Sequence, residues 1–363
     1  MKINRVRVKN FKSLKDIDIK LSNLTLITGV NSSGKSTFIQ ALLLLKQNEE
    51  KFYQRNKKAL SIKGEYLNLG NKQDILYEDS YKEDIEIDLH AGDELLKVKF
   101  NNEDLKMTLE LNENMLDELN LFNDRFQYIM TDRAIPSISY ALSDEDIDKN
   151  LIGFKGEYTA HYIAVNRQKE LDIKSLRHKN SISNQLLENV SLWLGDISEN
   201  IVVTSEVFQD LEVKLTYSYK YGEKETNKYT PINVGFGITY VLPIIVAILK
   251  AKPDDLIIIE NPESHLHPAG QSKIAELCAI AAANGVQIIV ETHSDHFLNG
   301  IRVATKKGVL TPTQSSVYYF RKDKDELETK IDEIHIDENG GIDNYPKGFF
   351  DQFDDDLDEL LGL

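Results

Sequence analysis

The sequence predicts an α/β fold: a mostly parallel sheet covered by helices, with an antiparallel β subdomain and a helical insertion. Three observations predict it. An apolar run at 24–28 leads into Gly29-Val30-Asn31-Ser32-Ser33-Gly34-Lys35-Ser36, and a leucine-rich helical run follows at 38–45. The aliphatics Leu256, Ile257, Ile258 and Ile259 show no alternation, the pattern of a strand buried on both faces of a parallel sheet. A helix starting near Pro268 and a further apolar run at 286–290 then complete a strand–helix–strand unit.

The chain has 363 residues, enough for about two domains or for one domain with insertions. Hydrophobic residues make up 41% and charged residues 28%, as in water-soluble globular proteins. With 43 basic against 59 acidic residues the net charge is −16, which excludes a uniformly basic nucleic-acid binder but leaves room for a local basic groove. Part of the acidic excess is concentrated in Asp351, Asp354, Asp355, Asp356, Asp358 and Glu359. The single cysteine, Cys278, excludes an internal disulfide and a cysteine-based zinc site. It falls in an apolar helical stripe, where packing explains it better than reactivity. A reducing, cytoplasmic setting is expected, with no apolar signal region over 1–6 and no stretch long enough to span a bilayer.

In chain order, Val6 and Val8 alternate with Arg5, Arg7 and Lys9 before a turn into Ile17 and Ile19, which reads as a hairpin. The loop at 29–36 fits G-x-x-x-x-G-K-[ST], the phosphate loop. Glycines let the backbone curl so that successive N–H groups face a polyanion. Lys35 would reach the β- and γ-phosphates, Ser36 would help to hold Mg²⁺, and Gly29, Asn31, Ser32, Ser33, Gly34 and Thr37 would line the cradle. Lys46, Lys51, Arg55, Lys57, Lys58 and Lys63 follow. They read first as a solvated helix face and second as a contact to a phosphate backbone.

Alternating runs at 85–89, 96–100 and 107–111 predict an antiparallel meander. From 115 to 230 the signals are mixed, with a helix over 185–194 and a strand over 211–219; Arg167, Lys169, Lys174, Arg177 and Lys179, set against Glu170 and Asp172, read first as plain surface and second as another basic patch. Asn233-Val234-Gly235-Phe236-Gly237 is a glycine turn ahead of an apolar helix over 238–250. The strand at 256–259 delivers Glu260-Asn261-Pro262-Glu263, and the strand at 286–290 delivers Glu291-Thr292-His293-Ser294. A carboxylate ending such a strand behind a phosphate loop suits Mg²⁺, and Glu260 takes that place. His293 would stand near the γ-phosphate as a donor or water-orienting group. His265 and His267 lack a third ligand nearby, so turn packing is the better reading. Further alternating runs occupy 316–320 and 331–336. The aromatics Tyr345, Phe349 and Phe350 read as anchors for the end of the chain rather than a base-stacking platform. Four stretches are therefore expected: a lobe with the phosphate loop and meander at 1–114, an inserted mixed or helical lobe at 115–230, a lobe with the glycine turn and the two acidic strand ends at 231–310, and a short extension at 311–363.

These motifs resemble the SMC/RecF/OLD-like branch of ABC-type (AAA-type) bacterial ATPases. The likeness rests on Val8-Lys9-Asn10-Phe11-Lys12-Ser13, the phosphate loop, Val234-Gly235-Phe236-Gly237 and Val241-Leu242-Pro243. It continues through Ile259 to Pro268, Thr292-His293-Ser294-Asp295-His296 and Tyr345-Pro346-Lys347-Gly348-Phe349-Phe350. Stand-alone members with a short C-terminal domain of unknown function are the nearest in pattern, and the middle third matches weakly. The resemblance implies a P-loop NTPase of ABC-ATPase head type that dimerises around ATP. Gly235 and Gly237 would then serve the γ-phosphate held by the opposite subunit, and His293 would be the switch histidine. It further implies a cytoplasmic ATPase with Mg²⁺, a separate effector such as a nuclease, action on nucleic acid, and a setting in anti-phage defence. A repair or maintenance ATPase of RecF/SMC type is the alternative, and a transporter subunit fits poorly because the Ser-Gly-Gly-Gln signature is missing. Many relatives carry Asp-Glu where this chain has Glu260-Asn261. Asn261 can orient a water but cannot take its proton, so Glu263 substitutes or hydrolysis is slow.

Overall fold

The computed structural model describes residues 1–53, 59–78, 83–111, 115–323 and 328–362. Arg55, Lys57 and Lys58, half of the first basic stretch, lie outside them. The chain begins with β1 (Arg5–Phe11), β2 (Leu14–Lys20), β3 (Leu24–Gly29), α1 (Lys35–Gln47) and α2 (Glu49–Phe52). It continues through β4 (Ile85–Ala91), β5 (Glu94–Phe100), β6 (Met107–Glu110) and α3 (Met115–Glu118). Next come β7 (Phe126–Ile129), α4 (Asp144–Asp148), α5 (Thr159–Asn166), α6 (Leu186–Gly195), β8 (Ile201–Phe208), β9 (Glu212–Tyr221) and β10 (Lys224–Glu225). The remainder is α7 (Phe236–Leu249), β11 (Leu256–Glu260), α8 (Pro268–Ala283), β12 (Gln287–Glu291), α9 (Asp295–Lys306), β13 (Ser315–Lys322), β14 (Thr329–Ile334) and α10 (Gln352–Leu361).

Contacts divide the chain into two units, the first comprising Met1–Asn123, Ser315–Asp337 and Gly341–Leu363. Its antiparallel sheet runs β2-β1-β4-β5-β6, so the meander expected from alternation is joined on one side by the N-terminal hairpin. Alternation works here because one face is buried: Val6 and Val8 are inaccessible, while Arg7 reaches across the hairpin to Asp16 at 2.7 and 2.9 Å. β3 pairs in parallel with β13, and β13 pairs antiparallel with β14. Phe38, Ile39, Leu42, Leu43, Leu44 and Leu45 of α1 are fully buried, which explains a helix with so little polar face. Phe349 is 2% exposed, with its ring centroid 5.4 Å from that of Tyr319 on β13.

The second unit comprises Asp124–Gln314 and Glu338–Gly340. β12, β11 and β7 lie side by side in parallel, with Ile257 opposite both Ile288 and Gln127. α8 is the crossover between β11 and β12, as the strand–helix–strand pattern requires. It begins at Pro268 with His267 as its cap and contains buried Cys278. α7 is buried from Ile238 through Leu249. β8 and β9 form a long antiparallel ribbon extended by β10.

The units cut across the four stretches expected from the sequence. β7, inside the expected insertion, is bonded to β11, and β13, inside the expected extension, is bonded to β3. Strand pairing between distant segments decides the grouping, and local composition does not report it. Among the described residues no helix is long and apolar enough to cross a membrane.

Candidate active site

In the first unit β3 ends at Gly29, whose φ is +143° and whose added Cβ would lie 2.0 Å from the Phe320 carbonyl oxygen. No side chain fits there. Gly34, at φ +101°, would put a Cβ 2.4 Å from Thr329 Oγ1, and Ser32 also has a positive φ of 61°. The loop therefore curls through positive-φ backbone at three places, Gly29, Ser32 and Gly34, before α1 starts at Lys35. Gly34 gives α1 no side-chain cap. An uncapped helix start leaves N–H groups and the positive end of the helix dipole for an anion.

Lys35 is 3% exposed, and its Nζ donates to the carbonyl oxygens of Gly29 at 2.9 Å and Val30 at 2.8 Å. Asn31, Ser32 and Ser36 are exposed and Thr37 is half-buried. Ser33 is buried, and its carbonyl accepts from Thr329 Oγ1 at 2.9 Å. The Thr329 hydroxyl is also 3.1 Å from Ser13 Oγ, so β14 pins the loop to the N-terminal hairpin. Nearby, Lys12 donates to Gln40 Oε1 at 2.8 Å, and burial holds its pKa below the usual lysine range. The loop satisfies what a nucleotide phosphate and its Mg²⁺ demand: a curled backbone that excludes Cβ atoms, an ammonium folded onto the loop's own carbonyls, and an exposed hydroxyl in the first helical turn.

In the second unit the end of β11 carries Glu260. Thr131, two residues beyond β7, donates its N–H to Glu260 Oε2 at 3.1 Å. Its hydroxyl lies 3.0 Å from the same oxygen and 2.8 Å from Asn261 Oδ1, two acceptors sharing one proton. Asn261 has a φ of 44°, a left-handed setting that asparagine tolerates better than most residues, and its N–H donates to the Glu291 carbonyl at 2.8 Å. Glu263 Oε1 accepts from the His293 backbone N–H at 2.8 Å, and Oε2 accepts from Thr292 Oγ1 at 2.6 Å. The imidazole of His293 is exposed. Glu291 stands opposite Glu260 in the parallel register and is 4% exposed. The Tyr128 hydroxyl is pushed far above its ordinary pKa by burial, reinforced by the charges of Glu260 and Glu291.

Arg133 is 2% exposed; its Nη2 donates to the Glu260 carbonyl and, at 3.1 Å, to that of Asn261. Burial lowers its pKa to about 10, against the opposing pull of Tyr240, Glu263, Glu260 and Tyr128. Gly235 caps α7 and Gly237 lies in its first turn, where an added Cβ would be 2.3 Å from the His265 carbonyl oxygen. His265 packs its ring against Phe236 and Tyr240, and His267 Nδ1 accepts from Ala269 N–H at 3.4 Å.

The expected site residues thus fall into two groups. Gly29 to Thr37 form one cradle in the first unit. Glu260, Asn261, Glu263 and His293 are brought together in the second, with Gly235 and Gly237 at the head of α7 alongside His265. Thr131, Arg133, Thr329 and Glu291 are additional. Glu291 had a visible signal, an acid ending an apolar strand as Glu260 does. Thr329 had none.

Residues 24–299 match the family described as AAA domain, putative AbiEii toxin, Type IV TA system, and residues 310–360 match one described as protein of unknown function (DUF3696). The DNA replication and repair protein RecF of Acetivibrio thermocellus is 26% identical over 218 residues, covering 57% of this chain and 54% of that protein. The OLD nuclease of Thermus scotoductus is 22% identical over 382 residues, covering 96% of this chain and 67% of that protein. The chain therefore spans about half the length of the first relative and two thirds of the second.

An Smc head bound to the C-winged helix domain of ScpA superposes with a TM-score of 0.54 at 13% identity, over 93% of this chain and 99% of that one. An Smc head with an extended coiled coil, bound to the C-terminal domain of ScpA derived from Pyrococcus furiosus, gives 0.50 at 13% identity, over 99% of each chain. At that identity the likeness establishes the fold, a P-loop ATPase head. The chain belongs to the AAA domain family described as putative AbiEii toxin, Type IV TA system, and is SMC/RecF/OLD-like.

Proposed function

We propose that the chain binds and hydrolyses ATP, that ATP joins two copies, and that the joined state switches a separate effector acting on nucleic acid. The observation that carries the reading is Lys35, buried with its ammonium on the Gly29 and Val30 carbonyls at the head of an uncapped helix. Phosphate oxygens are stronger acceptors than those carbonyls and exchange for them. Ser36 and Glu260 are each proposed as Mg²⁺ ligands; when bound, the ion neutralises phosphate charge. Thr131 fixes Glu260 for that task. Gly235 and Gly237 offer backbone N–H groups to the nucleotide of the second copy. His293, held through its backbone by Glu263, orients the water or the terminal phosphate. Asn261 holds a water without accepting its proton, so turnover is slow.

Anti-phage defence with a nuclease partner is the proposed setting, supported by the likeness to an OLD nuclease; repair of the RecF kind is the alternative. Exposed Arg167, Lys169, Lys174, Arg177 and Lys179 are the proposed contact to nucleic acid, because they outnumber the exposed Glu170 and Asp172 between them on an otherwise acidic chain. Sedimentation of the chain with and without a non-hydrolysable ATP analogue tests the switch. A monomer that becomes a dimer with the analogue is expected, and an unchanged species contradicts it. The amide of Asn261 also favours a second reading, a nucleotide-gated scaffold that scarcely hydrolyses. Retained ATP binding with no phosphate release, with DNA and effector present, selects that reading.

A further inference from the structure

Arg133 is a buried charge that the proposed chemistry does not use. No carboxylate oxygen bonds to it among the described residues; Nη2 holds the carbonyls of Glu260 and Asn261, while Nε and Nη1 have no hydrogen-bond partner there. Its Cζ lies 4.6 Å from the centroid of the Tyr240 ring. Tyr240 sits one turn into α7, with its ring 5.3 Å from Phe236 and 5.1 Å from His265. The Tyr240 hydroxyl donates to the Thr131 carbonyl, and Thr131 in turn holds the Glu260 carboxylate. The glycine turn that opens α7 is thereby connected by two short routes to one strand end. One runs through Tyr240 and the face of Arg133 to the backbone of Glu260 and Asn261. The other runs through Tyr240 and Thr131 to the Glu260 side chain.

Stability does not explain an arginine here. A buried guanidinium without a carboxylate pays desolvation that an apolar side chain of like volume avoids. Its chemistry does: a planar cation can stack on an aromatic face and donate from its edge to two carbonyls at once, which lysine or methionine cannot. We propose that Arg133 is a positioning residue which, with Tyr240, transmits displacement of the Gly235-Phe236-Gly237 turn to Glu260 and Asn261. A ligand seated on the turn would thus reset the carboxylate and amide that govern hydrolysis. This rests on the proposed roles of Glu260 and of the glycine turn.

Hydrogen exchange on the nucleotide-free chain tests it without activity. Phe236→Ala is expected to raise amide exchange across 257–262 about tenfold in the native background and to add nothing in Arg133→Met. No change in that segment on Phe236→Ala overturns the proposal, as does an undiminished effect in Arg133→Met. Hydrolysis gives the second readout. Arg133→Met is expected to keep ATP affinity within twofold and thermal stability at or above native, while kcat falls tenfold or more. Arg133→Lys should rescue poorly, because it restores charge without the planar face. Should Arg133→Met fail to fold, Tyr240→Phe carries the test: it keeps the ring, removes the hydroxyl that holds Thr131, and should lower kcat severalfold. Unchanged kcat in both variants overturns the proposal. Glu260→Gln separates the two levels of inference. If it leaves turnover intact, the metal role of Glu260 is wrong; if it abolishes turnover while Arg133→Met does not, only the role of Arg133 is.

Discussion

The carboxylate of Glu263 holds His293 by its backbone, with Oε1 2.8 Å from the His293 N–H and Oε2 2.6 Å from the neighbouring Thr292 hydroxyl. Both oxygens are engaged in setting the strand end that carries the imidazole. That supports Glu263 as a strut rather than a general base, and the magnitudes separate the two. Loss of a general base typically costs ~10²–10⁴-fold in rate. Glu263→Gln keeps one acceptor for the two donors, so we expect kcat to fall about tenfold with ATP affinity unchanged, an effect worth roughly 1.4 kcal/mol. A loss near a thousandfold in single-turnover assays would return the base role to Glu263.

Asn261 sits in left-handed backbone, where Asn and Asp are tolerated and longer side chains are strained. Asn261→Asp therefore restores a carboxylate without disturbing the turn. Phosphate release should increase by about tenfold or more, since a positioned base contributes on the order of 10²-fold. Unaltered turnover would show that position 261 does not limit the rate.

Thr329 reaches the Ser33 carbonyl at 2.9 Å and Ser13 Oγ at 3.1 Å from β14. Thr329→Val keeps the volume and removes the hydroxyl. Stability should fall by about 1 kcal/mol, the net worth of a typical hydrogen bond, and ATP affinity by severalfold as the loop loosens. Calorimetric titration with ATP and urea unfolding measure the two effects separately.

Lys250, buried in the second unit, donates to the Asn150 carbonyl at 2.5 Å, and burial lowers its pKa to about 8. The unfolded chain binds that proton up to about pH 10.4, so between roughly pH 8 and 10.4 the unfolded state carries more protons and stability rises with pH. Integrated over that window the gain from this group is about 3 kcal/mol. Lys250→Met should remove the rise and stabilise the protein most at pH 7, which the difference in urea unfolding between native and variant at pH 7 and pH 10 measures. An equal difference at both pH values would contradict it.

The phosphate loop, the unalternating strand at 256–259 and the acids that end both parallel strands are legible because each is a local pattern of residue types. Gly29 and Gly34 announce a backbone that no other residue adopts without collision. Thr131 and Arg133 are not legible, because they follow a four-residue strand, Phe126–Ile129, too short to show its period. Thr329 reaches Ser33 across 296 positions only because β13 pairs with β3. The boundary between the units escapes for the same reason: long-range strand pairing assigns 124–230 and 315–337, and neither composition nor spacing encodes it. Asn261 is the reverse case. The sequence marks it as a departure, and its positive φ supplies a backbone reason for asparagine.

Lys35 is the residue on which the whole functional account depends. Equilibrium titration of the native chain and of Lys35→Ala with ATP and Mg²⁺ measures its role most directly. Native binding with an affinity loss of at least a hundredfold in the variant, about 2.7 kcal/mol, is the predicted result. Equal affinity of the two proteins for ATP would contradict it.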